Sequence, residues 1–156
     1  MLADKEIKEL HVGDLAPDFS LPDQRDEMFN LQDWRGRKNV LLIFYPGDDT
    51  PGCTTQLCAL RDDFQKFTTR DTVIFGVNQA DHISHQKFID KYCFPFQLLI
   101  DRGRKISKKY GAVKSIFGQT TIKRSVVLIN KKGKIIYLKR GLPTNKEILA
   151  AFPDHE

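Results

Sequence analysis

The sequence has little that could staple, span a membrane or chelate. Three cysteines in 156 residues are too few for a secreted disulfide framework, and the odd number leaves at least one thiol unpaired within the chain. Any disulfide is therefore expected to be chemical rather than architectural. No stretch reaches eighteen consecutive apolar residues, and Met1 to Leu10 mixes Lys5, Glu6, Lys8 and Glu9 where an export signal would be apolar. The expectation is a cytoplasmic protein with no membrane partner. Glycine-rich phosphate loops, serine-triad motifs and Cys-x-x-Cys pairs are missing, so flavin and nicotinamide sites have no support. His82 and His85 share a helix-like spacing without a cysteine or carboxylate at ligand spacing, so they read as surface histidines, and neither a metal nor a cofactor is expected. Acidic residues are absent from one long segment: from Arg102 to Lys146 there are fourteen Lys and Arg and no Asp or Glu, within a net charge of +5. That basic face could meet an acidic partner, but it has no aromatic stacking platform, and nucleic-acid binding is not expected.

What is present is enough for one domain over residues 1–156, with no repeat or linker to divide it. Asn39-Val-Leu-Leu-Ile-Phe-Tyr45 is a continuous apolar run ended by Pro46 and Gly47, the pattern of a strand buried on both faces. Leu57, Leu60, Phe64 and Phe67 then recur at helical spacing, predicting a helix from Pro51 to Phe67 with proline in its first turn. Further strands are predicted at Thr72–Val77, Gln97–Asp101, Ser125–Ile129 and Lys134–Leu138, the last two forming a hairpin. Helices are predicted at Ser84–Tyr92, Lys105–Tyr110 and Thr144–Phe152, and short edge strands between Ala16 and Leu31. The order implies an α/β fold of thioredoxin-like kind, a mixed central sheet flanked by helices.

The chemistry concentrates where the buried strand feeds a loop and then a helix. Cys53 lies in the first turn of that helix, where free N–H groups and the helix dipole favour a thiolate, the nucleophilic form. An ordinary thiol is about 3% ionised at pH 7, so full ionisation gains only about thirty-fold in rate. A fast reaction needs further groups that align the substrate and stabilise charge as a bond breaks. Asp48 and Asp49, just upstream, would oppose the thiolate if turned inward and are expected to face solvent.

Pro46-x-x-x-Thr50-x-x-Cys53 resembles the peroxiredoxin motif, and within that family the bacterioferritin-comigratory or peroxiredoxin Q-like group. Gly13 to Asp23 is similar to the family's N-terminal stretch, and Arg124-Ser-Val-Val-Leu-Ile129 to its late strand. The resemblance implies reduction of hydrogen peroxide or organic hydroperoxides through a Cys53 sulfenic acid, recycled by thioredoxin or a similar dithiol. It assigns Pro46 to shield the pocket, Thr50 to hydrogen-bond thiolate and peroxide, and Arg124 to polarise the peroxide, with the N–H groups of Gly52 and Cys53 assisting. The resembled group is often monomeric, and a monomer is the corresponding expectation.

The resemblance also makes Cys58 the resolving partner. On an intact helix two residues five apart have Cα atoms about 8–9 Å apart, whereas a disulfide needs about 4.4–6.8 Å, so residues 50–60 must unwind in each cycle. Cys93, in the apolar setting Lys91-Tyr-Cys-Phe-Pro-Phe96, reads as a packed structural thiol, with resolution of Cys53 as its alternative. Two departures stand out: Gln56 lies where related sequences often carry Glu, and Asp26 where a turn glycine is common. Two other functions compete, a disulfide oxidoreductase or redox-sensing protein acting on protein thiols, and a binding module that uses the basic half.

Overall fold

The computed structural model describes residues 9–153; most of the charged N-terminal stretch, to residue 8, lies outside them. A five-stranded sheet forms the centre, in the order β5-β4-β3-β8-β9. Its strands are β3 (Asn39–Phe44), β4 (Thr72–Asn78), β5 (Gln97–Ile100), β8 (Ser125–Ile129) and β9 (Ile135–Arg140). The first three are parallel and the hairpin β8–β9 adds antiparallel to β3, which gives the mixed sheet expected from the sequence.

The continuous apolar run of β3 is explained by its two faces. Val40, Leu42 and Phe44 enter one core with Phe29, Val77, Tyr110 and Val127, while Leu41, Ile43 and Tyr45 enter the other with Cys53, Leu57, Phe88 and Leu128. Side chains alternate along a strand, so a strand covered on both sides needs an apolar residue at every position. Each such side chain contributes about 1.5–3 kcal/mol by leaving water. Gly76 in β4 is required by this packing: a Cβ there would lie 2.6 Å from Leu98 and 2.9 Å from the Tyr45 ring.

On the second face lie α1 (Pro51–Asp62), α2 (Phe64–Thr68) and α3 (His82–Tyr92). The single helix predicted from Pro51 to Phe67 is broken at Asp63, whose backbone leaves the helical region (φ −101°, ψ 14°). The apolar stripe continues across the break, because Phe67 is buried and Phe64 half-buried, so the periodicity hid it. The Asp63 carboxylate instead accepts from Asn145 Nδ2 at 2.9 Å, tying α1 to α5 (Asn145–Leu149).

The short strands β1 (Ser20–Pro22) and β2 (Met28–Asn30) pair as expected, with Asp26 in a left-handed turn (φ 63°). Lys105–Lys109 forms the predicted short helix, α4. The sequence reading missed a hairpin, β6 (Val113–Ile116) with β7 (Gln119–Ile122). Its turn, Phe117-Gly118, has two positive φ values (51° and 78°), and most of its strand residues are exposed, so no apolar alternation announced it.

Candidate active site

Strand β3 delivers the chain to the site. Tyr45 ends its buried run, residues 46–50 cross to the helix, and Thr50 caps α1 in an extended conformation (φ −89°, ψ 153°) with Pro51 in the first turn. Helical hydrogen bonding begins with Thr54 N–H to Thr50 O at 2.8 Å. The N–H groups of Gly52 and Cys53 precede it, among the first-turn donors that a helix leaves without an internal acceptor.

Cys53 is fully covered, with 0% exposure. Arg124, just before β8, reaches it: Nη2 donates to Cys53 Sγ at 3.3 Å and Nη1 to Gln56 Oε1 at 2.8 Å. The guanidinium fork thus spans two residues one helical turn apart. It is always charged, so a fixed positive charge lies against the sulfur it touches. Gly141 N–H donates to the Arg124 carbonyl at 2.8 Å, fixing the arginine's backbone. A Cβ on Gly52 would lie 3.3 Å from Arg124 Nη2, so glycine leaves that approach clear.

The other expected residues divide. Pro46 is exposed at the end of β3. The Thr50 hydroxyl donates to Gly47 O at 3.1 Å, so in this state it closes the loop rather than bonding the sulfur. Gln56 holds Arg124 through a neutral acceptor where a carboxylate would give a charge-assisted bond. Cys58 is half-buried, and none of the three cysteines is bonded to another.

Three expectations are overturned. Cys93 is exposed rather than packed, because it ends α3 in the left-handed conformation (φ 56°, ψ 48°) while Phe94 and Phe96 take the core positions. Asp48 turns inward, its side chain 6% exposed, and His85 is completely buried against it. Asp48 Oδ1 accepts from Tyr45 Oη at 2.6 Å and Asn78 Nδ2 at 3.1 Å; Oδ2 accepts from Ser84 Oγ at 2.7 Å and lies 2.7 Å from His85 Nδ1. His85 Nε2 lies 2.9 Å from Leu99 O. Burial disfavours the Asp48 anion, but the hydrogen bond and charge of His85, with the bonds from Tyr45 and Ser84, hold the carboxyl below its ordinary range. Burial, then Asp48, pushes the Tyr45 hydroxyl well above its ordinary range, so it stays a donor.

Asp49, in contrast, is exposed as expected, held by Lys91 Nζ at 2.8 Å and Tyr92 Oη at 2.7 Å. The missed pair had one sequence signal: His85, Phe88 and Tyr92 are spaced three and four apart, which places His85 on the apolar face of α3.

Beside the site an apolar groove of about 630 Å³ runs between α1 and residues 142–148, lined by Gly52, Gln56, Leu60, Leu142 and Ile148 among others. No group of His, Cys, Asp and Glu suited to a metal occurs among the described residues. Nor does any described helix have the length and apolar character to cross a membrane.

A sheet of this order, with a thiol opening the helix after its central strand, is the thioredoxin-like arrangement. The structure superposes on the peroxidoxin BcpB of Mycobacterium tuberculosis with a TM-score of 0.84 at 26% identity, covering 92% of this chain and 96% of that one. Residues 12–138 match the AhpC/TSA family. The sequence is 40% identical over 126 residues to a chloroplastic peroxiredoxin Q of Triticum aestivum, covering 81% of this chain and 57% of the relative. It is 39% identical over 130 residues to a bcp-type peroxiredoxin of Coxiella burnetii, covering 81% of this chain and 85% of that protein. The chain belongs to the AhpC/TSA family, the peroxiredoxins, and is similar to its Q and bcp types. It spans only 57–62% of the length of the first four plant relatives.

Proposed function

We propose that this protein is a thiol peroxidase that reduces hydrogen peroxide and organic hydroperoxides through Cys53. The observation that carries the reading is the Arg124 guanidinium 3.3 Å from a sulfur at a helix N-terminus. In the first step the Cys53 thiolate attacks one oxygen of the O–O bond. That bond breaks, the other oxygen leaves as water or an alcohol after taking a proton, and the sulfur becomes a sulfenic acid. Arg124 and the first-turn N–H groups lie where they can stabilise charge on the separating oxygens. The apolar groove beside Gly52 suits the organic part of a hydroperoxide.

In the second step the Cys58 sulfur displaces hydroxide from the sulfenic acid, which leaves as water, and a Cys53–Cys58 disulfide forms. An external dithiol of the thioredoxin type then reduces it by two exchange steps. α1 is continuous across both cysteines, so the disulfide requires its first turns to unwind. Hydrogen exchange should fall into two regimes, with residues 50–60 protected in the reduced protein and exchanging fast in the oxidised one. Equal protection in both would sink the Cys58 pairing.

A second reading, resolution through Cys93, is favoured by that residue's exposure. Peptide mapping after one equivalent of peroxide separates the two disulfides. The activity itself is tested by peroxide consumption with a thioredoxin system: Cys53→Ser is expected to fall to background, and undiminished turnover by that variant would end the proposal.

A further inference from the structure

The buried Asp48–His85 pair has no role in the chemistry above, yet it occupies the loop that leads into Cys53. His85 is 0% exposed, and its two nitrogens face two acceptors, the Asp48 carboxylate at 2.7 Å and the Leu99 carbonyl at 2.9 Å. Both ring nitrogens are therefore engaged, one by the carboxylate and the other by the carbonyl. The pair therefore joins three elements: the loop 46–50 through Asp48, α3 through His85 and Ser84, and β5 through Leu99. A buried carboxylate whose remaining lone pairs are filled by Tyr45 and Asn78 is costly to separate from His85, because removing the ring leaves it buried and short of a partner.

The far side of the cysteine pair is fastened too. Arg61 Nη1 donates to Tyr92 O at 2.7 Å, and Asn145 Nδ2 donates to Ala59 O at 2.9 Å. The segment that must unwind, Pro51 to Cys58, therefore lies between two fixed anchors.

We propose that Asp48 and His85 are a positioning pair for Cys53: they hold the loop 46–50, and with it the start of α1, in the arrangement that reacts with peroxide, and so oppose the unwinding that carries Cys53 to Cys58. This deepens the peroxidase reading and rests on it. It requires the two half-reactions to respond differently when the pair is weakened. Attack on peroxide needs the first turn in place, and displacements of about 1 Å can cost 10²-fold in such reactions. Disulfide formation needs that turn to open.

The test is stopped-flow oxidation of wild type, His85→Gln and Ser84→Ala at several peroxide concentrations. It separates the peroxide-dependent phase from the later, concentration-independent one. His85→Gln is expected to slow the first phase by about tenfold or more and to leave the second unchanged or faster. Ser84→Ala removes a single bond to Asp48 from a half-buried side chain and should give the same split at about two- to fivefold without loss of fold by circular dichroism. Parallel slowing of both phases, or no change in either for Ser84→Ala, would overturn the proposal. Failure of the underlying reading looks different: wild type itself would then lack the peroxide-dependent phase, or mapping would find no Cys53–Cys58 disulfide.

Discussion

Cys53 and Cys93 stand at opposite ends of two helices, and their surroundings are opposite as well. Cys53 opens α1, is completely covered, and has a guanidinium 3.3 Å away. Cys93 closes α3, is exposed, and has the Asp90 carbonyl 4.0 Å from its sulfur. A helix presents positive partial charge at its first turn and negative at its last, so one end stabilises a thiolate and the other opposes it. Exposure and a cationic neighbour therefore fall on different sulfurs: the covered thiol has the guanidinium and the helix start, and the exposed one has neither. On the proposed reading the covered thiol is the one that meets peroxide, which is small enough to reach it.

The sharpest way to break that comparison is to remove the cation and leave the helix. Arg124→Gln keeps a donor near Gln56 but loses the charge beside Cys53, and the second-order rate with hydrogen peroxide is expected to fall by about 10²–10³-fold, the cost of losing one transition-state donor. A loss under threefold would mean that the helix terminus alone activates the sulfur. Next in size is a change to the support beneath the site. Gly76→Ala places a methyl 2.6 Å from Leu98 and 2.9 Å from Tyr45, whose hydroxyl holds Asp48, and should destabilise the fold by about 1–3 kcal/mol in urea unfolding. An unchanged midpoint would show that Tyr45 has room to shift.

Acid should loosen the covered side selectively. The Asp48 carboxyl sits below its ordinary range in the folded protein, so its contribution is complete above the unfolded value of about 4 and is lost as pH falls through the depressed folded value. Asp48→Asn should therefore be less stable than wild type at pH 7, and the difference should shrink as pH drops below about 4. A gap that stays constant down to pH 3 would remove Asp48 from the account of acid stability.

The central architecture was legible because a strand covered on both faces must be apolar at every position, as Asn39 to Tyr45 nearly is, and because Pro51 and the stripe from Leu57 to Phe67 mark a helix. The motifs around Cys53 and Arg124 pointed to the two residues, and the structure brings their side chains within 3.3 Å of each other. The inward turn of Asp48 was not legible, since an aspartate in a loop is ordinarily solvated and three of its four partners, Asn78, Ser84 and His85, lie 30 to 37 residues away. His85 was misread for a related reason: the surface reading rested on the lack of metal-ligand partners and left out its spacing with Phe88 and Tyr92, which puts it on the apolar face of α3. The environment of Cys93 failed differently. The residues around it are apolar, but one left-handed residue at a helix end decides which side chain enters the core, and nothing local in Lys91 to Phe96 fixes that register.

That left-handed residue supplies the smallest effect and the most direct test of Cys93. A side chain at φ 56° carries a steric cost that glycine lacks, so Cys93→Gly should stabilise the protein by about 1 kcal/mol and raise the melting midpoint by a few degrees. If Cys93 is only the end of a helix, turnover with a thioredoxin system should stay within twofold of wild type, because neither Cys53, Arg124 nor Cys58 has been touched. If turnover falls more than tenfold while the protein is more stable, the loss cannot come from the fold. The exposed sulfur would then be the resolving one, and the contrast between the two helix ends would become a division of labour, with the covered thiol meeting peroxide and the exposed thiol receiving the oxidation.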